Sequence, residues 1–329
     1  MKHRLLILSF LPFIIFTLCS NAAAQDTLAQ RPKIGLVLGG GGAKGGAEVG
    51  ALKAIEEAGI RIDYIAGTSI GAVVGCLYAA GYTAAELEQL FTEQEWLSLL
   101  TDRREDLSGE PLKTENGVTY ILGFPVIDLN NQAFGVLGGN RVEQVLDSML
   151  SLKNAVEFSQ LKIPFRCVAA EMMTASEVVL SQGTVPQAVK ASMAIPGLFK
   201  PVTIDDRKLI DGGMMNNLPV DVVREMGADY VIAIDLQQNH HETRESSSDH
   251  FLTGLGDLIG LGEVLNWVVS RPDIRKHNEN SLQADIYINP PLPDYEASSF
   301  GNKSMRRMID IGEQATRKAL GSEEARRLR

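Results

Sequence analysis

Two short apolar runs, Ile34 to Leu38 and Tyr64 to Ala66, each stop at glycine and lead into a stretch of helical period, Gly46 to Glu57 and Ile70 to Ala80. A buried strand, a tight glycine turn and a helix, used twice in succession, fit few arrangements other than parallel strands with helices packed on them. Phe165 to Ala170, Ile286 to Ile288 and the nearly all-apolar Tyr230 to Ile234 read as further strands, the last of a type found in the centre of a parallel sheet. Helices are expected from the capping box Thr83-Ala84-Ala85-Glu86 to Phe91, from a cap at Asn140 to about Leu150, and from a cap at Thr184 over Val185 to Ala194, with Pro186 in the first turn. Others are expected over Leu218 to Met226 ending at Gly227, over about Leu255 to Ser270, and from about Lys303 onward. Thr101 to Gly117 and the Ser-rich His240 to His250 read as loops. The expectation is an α/β fold with a central, mainly parallel β-sheet flanked by helices. No repeat or linker divides it, so it is read as a single domain.

Ahead of this unit, Lys2, His3 and Arg4, an apolar run from Leu5 to Leu18 and Ala22-Ala23-Ala24 form the three parts of a cleavable secretory signal. The apolar run is shorter than the roughly 20 residues that span a bilayer. Cleavage is expected after Ala24, giving a signal at 1–24, a linker at 25–32 and a domain at 33–329. Its motif-bearing core covers about 34–235 and its helical extension about 251–329. Phe16-Thr17-Leu18 lacks the small residue that a lipoprotein signal places before its cysteine, so Cys19 is not read as a lipid anchor. The expected location is periplasmic or secreted. Cys76 and Cys167 stand in apolar surroundings and read as buried free thiols, and no metal-ligand spacing occurs, so neither a metal nor a cofactor is expected. Charge narrows the partners: 31 Lys and Arg stand against 41 Asp and Glu, a net −10 that becomes −12 without the leader and gives no general attraction to nucleic acid.

Gly67-Thr68-Ser69-Ile70-Gly71 is a G-x-S-x-G between strand and helix, a turn that pushes a serine side chain outward at a helix N-terminus. Ser69 is the candidate nucleophile. Downstream histidines are His240, His241, His250 and His277; none follows a strand in a glycine-bounded turn, and three lie in the polar loop, where they read as solvated. Asp211, between Leu209-Ile210 and Gly212-Gly213, is presented at a strand end without side-chain obstruction and is the better base. The glycines from Gly39 to Gly42, with Gly45, also follow a strand and open a helix, so their N–H groups can converge on an anion. A dinucleotide site fails because Asp63 precedes the second strand, where a ribose contact needs an acid at that strand's far end. A phosphate loop fails because Gly45, not Ser or Thr, follows Lys44. What remains is an oxyanion hole. Lys44 reads as a surface lysine.

The glycine loop Gly40 to Gly45, the elbow Gly67 to Gly71 and Asp211-Gly212-Gly213, in this order, resemble the patatin-like phospholipase family. The likeness runs from about Ile34 to Asp235 and includes Ala191-Ser192-Met193-Ala194-Ile195-Pro196 and Phe199-Lys200-Pro201. The resemblance implies a three-layer patatin-like fold and a lipid acyl hydrolase of phospholipase A or lysophospholipase type. In it Ser69 is nucleophile, Asp211 general base, and the amides of Gly40, Gly41 and Gly42 the oxyanion hole. A non-catalytic lipid-binding relative of the same fold is the alternative. The leader and Asp63 to Ser69 look most like the exported bacterial branch, whose enzyme domain precedes a β-barrel; no alternating barrel segments follow here. Glu48 stands where related sequences commonly carry histidine or another uncharged residue, and is expected on the helix surface behind the loop. The helix bearing Leu255, Leu258, Ile259, Leu261, Leu265, Trp267 and Val268 reads as core, with transient contact to a membrane surface as the alternative. Thr101 to Gly117 and Gln237 to Asp249 are the expected pocket rims.

Overall fold

The computed structural model describes residues 31–100, 137–238 and 274–322, together with the backbone of three short strands between 113 and 128. The leader, His240, His241, His250 and the helix expected near Leu255 to Ser270 lie outside the described residues. In chain order the strands are β1 (Ile34–Leu38), β2 (Tyr64–Thr68), β3 (Lys113–Glu115), β4 (Val118–Ile121), β5 (Phe124–Asp128), β6 (Phe165–Glu171), β7 (Ser176–Leu180), β8 (Val202–Ile204), β9 (Arg207–Asp211), β10 (Tyr230–Ile234) and β11 (Ile286–Ile288). The helices are α1 (Gly46–Glu57), α2 (Ile70–Ala80), α3 (Ala84–Glu93), α4 (Trp96–Leu100), α5 (Asn140–Leu152), α6 (Val185–Ser192), α7 (Val220–Glu225), α8 (Ile274–Gln283) and α9 (Asn302–Leu320).

The main sheet runs β11-β10-β1-β2-β6-β9-β8, with β7 also on β6. From β11 to β6 every pairing is parallel, whereas β7, β8 and β9 are antiparallel to their neighbours. Parallel strands need both faces covered, and β1 shows this directly. Leu36 and Leu38 join one core with Ile65, Ile232 and Ile234, while Val37 joins a second core with Ala66, Val231, Ala233 and the Val220, Val222 and Val223 of α7. Alternate residues of one strand thus enter different cores, which makes the architecture three-layered. The described residues from Pro32 onward form one compact unit. Among the described residues no helix is long and apolar enough to cross a membrane.

The order of pairing along β6 positions the site. Cys167 and Val168 pair with β7 and β2, and Ala169 to Glu171 pair with β7 and β9. A strand has two edges, so β2 and β9 must share one edge of β6, placed end to end. They run towards each other: Thr68 lies opposite Val168 and Asp211 opposite Ala169.

Several local expectations are corrected by this structure. Strand β2 continues through Gly67 and Thr68 instead of stopping at Gly67, because sheet pairing to β6 outweighs the poor strand preference of glycine. Gly139, not Asn140, is the N-cap of α5; the Asn140 carboxamide oxygen accepts from Lys190 Nζ. Thr184 caps α6 without a side-chain hydrogen bond, and α6 stops at Ser192, short of Ala194. The loop expected at Thr101 to Gly117 contains β3, whose Glu115 is paired with Val118 across only two intervening residues, Asn116 and Gly117. The capping box at Thr83 and Glu86 forms as read, and Cys76 and Cys167 are buried free thiols.

Candidate active site

Ser69 occupies the turn between β2 and α2 with φ 54° and ψ −122°, a backbone conformation that costs a non-glycine residue about 1–3 kcal/mol. Gly67 and Gly71 permit it. A Cβ on Gly67 would lie 2.4 Å from the Gly71 carbonyl oxygen, and one on Gly71 would lie 2.3 Å from that of Leu38. The turn therefore closes only where both flanking side chains are absent. Ser69 stands as N-cap of α2, where unsatisfied N–H groups and the helix dipole favour developing negative charge.

Asp211 closes β9, and Gly212 opens the 3₁₀ turn that follows, packed so tightly that a Cβ there would lie 2.2 Å from the Val168 carbonyl oxygen. Two strands meeting head-on along β6 bring the pair together: Ser69 Oγ donates to Asp211 Oδ2 at 2.7 Å. The Gly213 N–H donates to Asp211 Oδ1, also at 2.7 Å. Both side chains are buried, Asp211 at 2% exposure. Burial pushes the Asp211 carboxyl up to about 6, with the Gly213 amide and the Ser69 hydroxyl working in the opposite direction. A carboxylate of that strength can both take and return a proton near neutral pH.

The glycine loop lies directly beside the serine: a Cβ on Gly40 would sit 3.3 Å from Ser69 Cβ. Its amides do not all face the same way. The Gly39 N–H donates to Ile234 O and the Gly40 N–H to Asn217 O, so Gly40 is committed to holding the loop. This departs from the expected set of three oxyanion donors. Among the described residues, the N–H groups of Gly41 and Gly42 donate to no protein acceptor. Gly45 lies where a Cβ would strike the Ile70 side chain at 2.4 Å, so it brings the loop against the start of α2.

Asn217 was not singled out by the sequence, yet it grips the loop twice, accepting from Gly40 N–H and donating from Nδ2 to Gly40 O. Asn216 does similar work for the elbow, its carbonyl accepting from Thr68 Oγ1 at 2.8 Å. A signal was available: adjacent carboxamides before the apolar Leu218-Pro219-Val220 are costly to bury unless bonded. Glu48, expected on a helix surface, is completely buried in the first turn of α1. Burial holds its carboxyl well above the usual range, the Gly39 amide opposing and Asp235 reinforcing the shift. Lys44 is partly buried instead of freely solvated, and burial lowers its pKa against the pull of Glu296 and Asp235.

His277 faces a different acid, its Nε2 lying 3.1 Å from Asp235 Oδ2, to which Tyr287 also donates its hydroxyl. Asp63 accepts from Ile34 N–H at the start of β1, the far end of the strand from the glycine loop. Among the described residues no three His, Cys, Asp or Glu side chains cluster closely enough to hold a metal ion.

The fold and site define a class: an α/β protein presenting a serine on a strand-to-helix elbow, hydrogen-bonded to a buried carboxylate beside a glycine loop. Residues 36–224 match the patatin-like phospholipase family, and the chain belongs to it. It is 35% identical over 215 residues to an uncharacterized NTE family protein of Mycobacterium tuberculosis, covering 65% of this chain and 52% of that protein. It is 29% identical over 306 residues to human patatin-like phospholipase domain-containing protein 6, covering 88% of this chain and 20% of that one. The chain thus spans about half or less of the length of these relatives. Among solved structures, VipD from Legionella pneumophila superposes with a TM-score of 0.47 at 15% identity, over 88% of this chain and 67% of that one.

Proposed function

We propose that this protein is a serine lipid acyl hydrolase that cleaves phospholipid or lysophospholipid acyl esters through a Ser69–Asp211 dyad. The observation that carries the reading is the 2.7 Å hydrogen bond from the Ser69 hydroxyl to a buried carboxylate. In the first half-reaction Ser69 Oγ attacks the ester carbonyl as its proton passes to Asp211, and the tetrahedral oxyanion takes hydrogen bonds from the Gly41 and Gly42 N–H groups. Collapse expels the alcohol, which leaves with the proton held by Asp211. Water then gives a proton to Asp211 and attacks the acyl-enzyme, and the departing Ser69 oxygen recovers that proton as the fatty acid is released. Family membership supports lipid esters as the substrate class. The leader at 1–24 supports export to the periplasm or beyond.

Fluorophosphonate labelling of the purified protein tests the reading, with Ser69→Ala as control. Labelling of the wild type and none of the variant is expected. An unlabelled, folded wild type would overturn the enzyme reading in favour of a lipid-binding relative.

The acidity of Asp211 sets a pH dependence. Protonated Asp211 cannot accept the Ser69 proton, so kcat/KM for a soluble nitrophenyl ester should rise as pH passes through about 6 and level off above it. Full activity persisting at pH 4 would exclude Asp211 as the base.

A further inference from the structure

We propose that Ser192 is a positioning residue that holds the nucleophile in register with its base, by a clasp built from the segment Ser192 to Ala194. The inference rests on the dyad reading above and adds a residue that contacts neither substrate nor reacting atoms. Ser192 ends α6 and is completely buried. Its Oγ accepts from the Ser69 backbone N–H at 2.9 Å and donates to the Val168 carbonyl at 2.6 Å. Both capacities of the hydroxyl are therefore used, one on the strained elbow residue and one on the strand between elbow and base. Two residues later, the Ala194 carbonyl accepts from the Asp211 N–H at 2.9 Å. One short segment thus binds the backbone of both dyad members.

The segment is itself fixed, since Met193 N–H and Ala194 N–H donate back to Val189 O and Ala191 O in the last turn of α6. The Val168 carbonyl that Ser192 holds is also the atom against which Gly212 packs. Ser69, Val168, Asp211 and Gly212 are accordingly tied to a common frame. A buried amide and carbonyl left without the hydroxyl would each lose a bond that no water replaces cheaply. The elbow would then relax away from φ 54°, taking Ser69 Oγ out of line with Asp211.

Ser192→Ala and the nearly isosteric Ser192→Cys, a weak hydrogen-bonding group, test this. In Ser192→Ala kcat on a soluble ester should fall roughly 10- to 100-fold with KM little changed, the loss expected for ångström-scale misplacement. The acidic limb of the pH profile should move upward from about 6, because the Ser69 hydroxyl no longer lowers the Asp211 pKa. Ser192→Cys should shift both in the same direction by less. In a crystal structure of either variant, Ser69 Oγ and Asp211 Oδ2 should separate beyond about 3.2 Å. That distance reports on the clasp even if the wild type proves to hydrolyse no ester, so failure of the function reading and failure of this one are told apart. A folded variant that loses only thermal stability, with kcat, pH limb and dyad distance unchanged, overturns the proposal. Should the alanine variant not fold, the cysteine variant decides by the same criteria.

Discussion

Ser69→Ala and Asp211→Asn should each lower ester hydrolysis by on the order of 10⁴-fold or more, because members of a unit that makes and breaks the same bond are lost together. Replacement of His240 or His241 by alanine should leave the rate unchanged. The two dyad variants should differ in stability. Asp211 carries a folded-state pKa of about 6 against an ordinary 3.8, so the folded protein binds the extra proton between those values. Stability contributed by this group therefore falls as pH rises from 3.8 through about 6, the reverse of a salt-bridged aspartate. Asparagine removes the buried charge, keeps an oxygen for the Gly213 N–H and offers an N–H to Ser69 Oγ. Asp211→Asn should thus unfold at a higher urea concentration than the wild type at pH 8, by on the order of 2–3 kcal/mol. A variant that is both inactive and less stable at pH 8 would contradict the burial argument. One that retains activity would contradict the mechanism.

Gly71→Ala should damage both the fold and the site, although it adds a single carbon. Helix propensity favours it, since alanine is better than glycine inside a helix by about 1 kcal/mol. Packing opposes it more strongly. The new Cβ would lie 2.3 Å from Leu38 O and 2.8 Å from Gly39 O, both backbone atoms. Leu38 cannot yield, being paired on one side with Ile234 and on the other with Gly67. The expected result is a net loss of about 2 kcal/mol or more in urea denaturation, from overpacking that outweighs propensity, with ester hydrolysis falling at least as far as in Ser192→Ala. Native stability and rate in Gly71→Ala would show that the elbow and the glycine loop are free to separate.

What the residues disclosed unaided depended on the range of the signal. Ile34–Leu38, Ile70–Ala80 and Tyr230–Ile234 were legible because a fully buried strand or a small-residue helix leaves an unbroken apolar run. The antiparallel β7 and β8 were not, since β7 opens on the exposed Ser176 and half-exposed Glu177 and β8 is only three residues long, too short to show an alternation. Ser69 and Asp211 were legible because glycines bracket the first and follow directly on the second, and glycine marks close backbone approach. Ser192, Asn216 and Asn217 owe their places to partners far away in sequence, among them Ser69, Thr68 and Gly40. No local pattern encodes such partnerships. Glu48 shows the opposite error, a charged residue whose type suggested solvent but whose helix face is packed in the core.

Because β2 and β9 abut on a single edge of β6, the backbone register between the two dyad residues is counted in whole residues. A slip of β9 by one position along its partner would carry Asp211 about 3.4 Å and turn its side chain to the opposite face. Damage to the β8–β9 hairpin should consequently appear as a mixture of fully competent and wholly inert molecules. Active-site titration would then count fewer working sites, each turning over at the original speed.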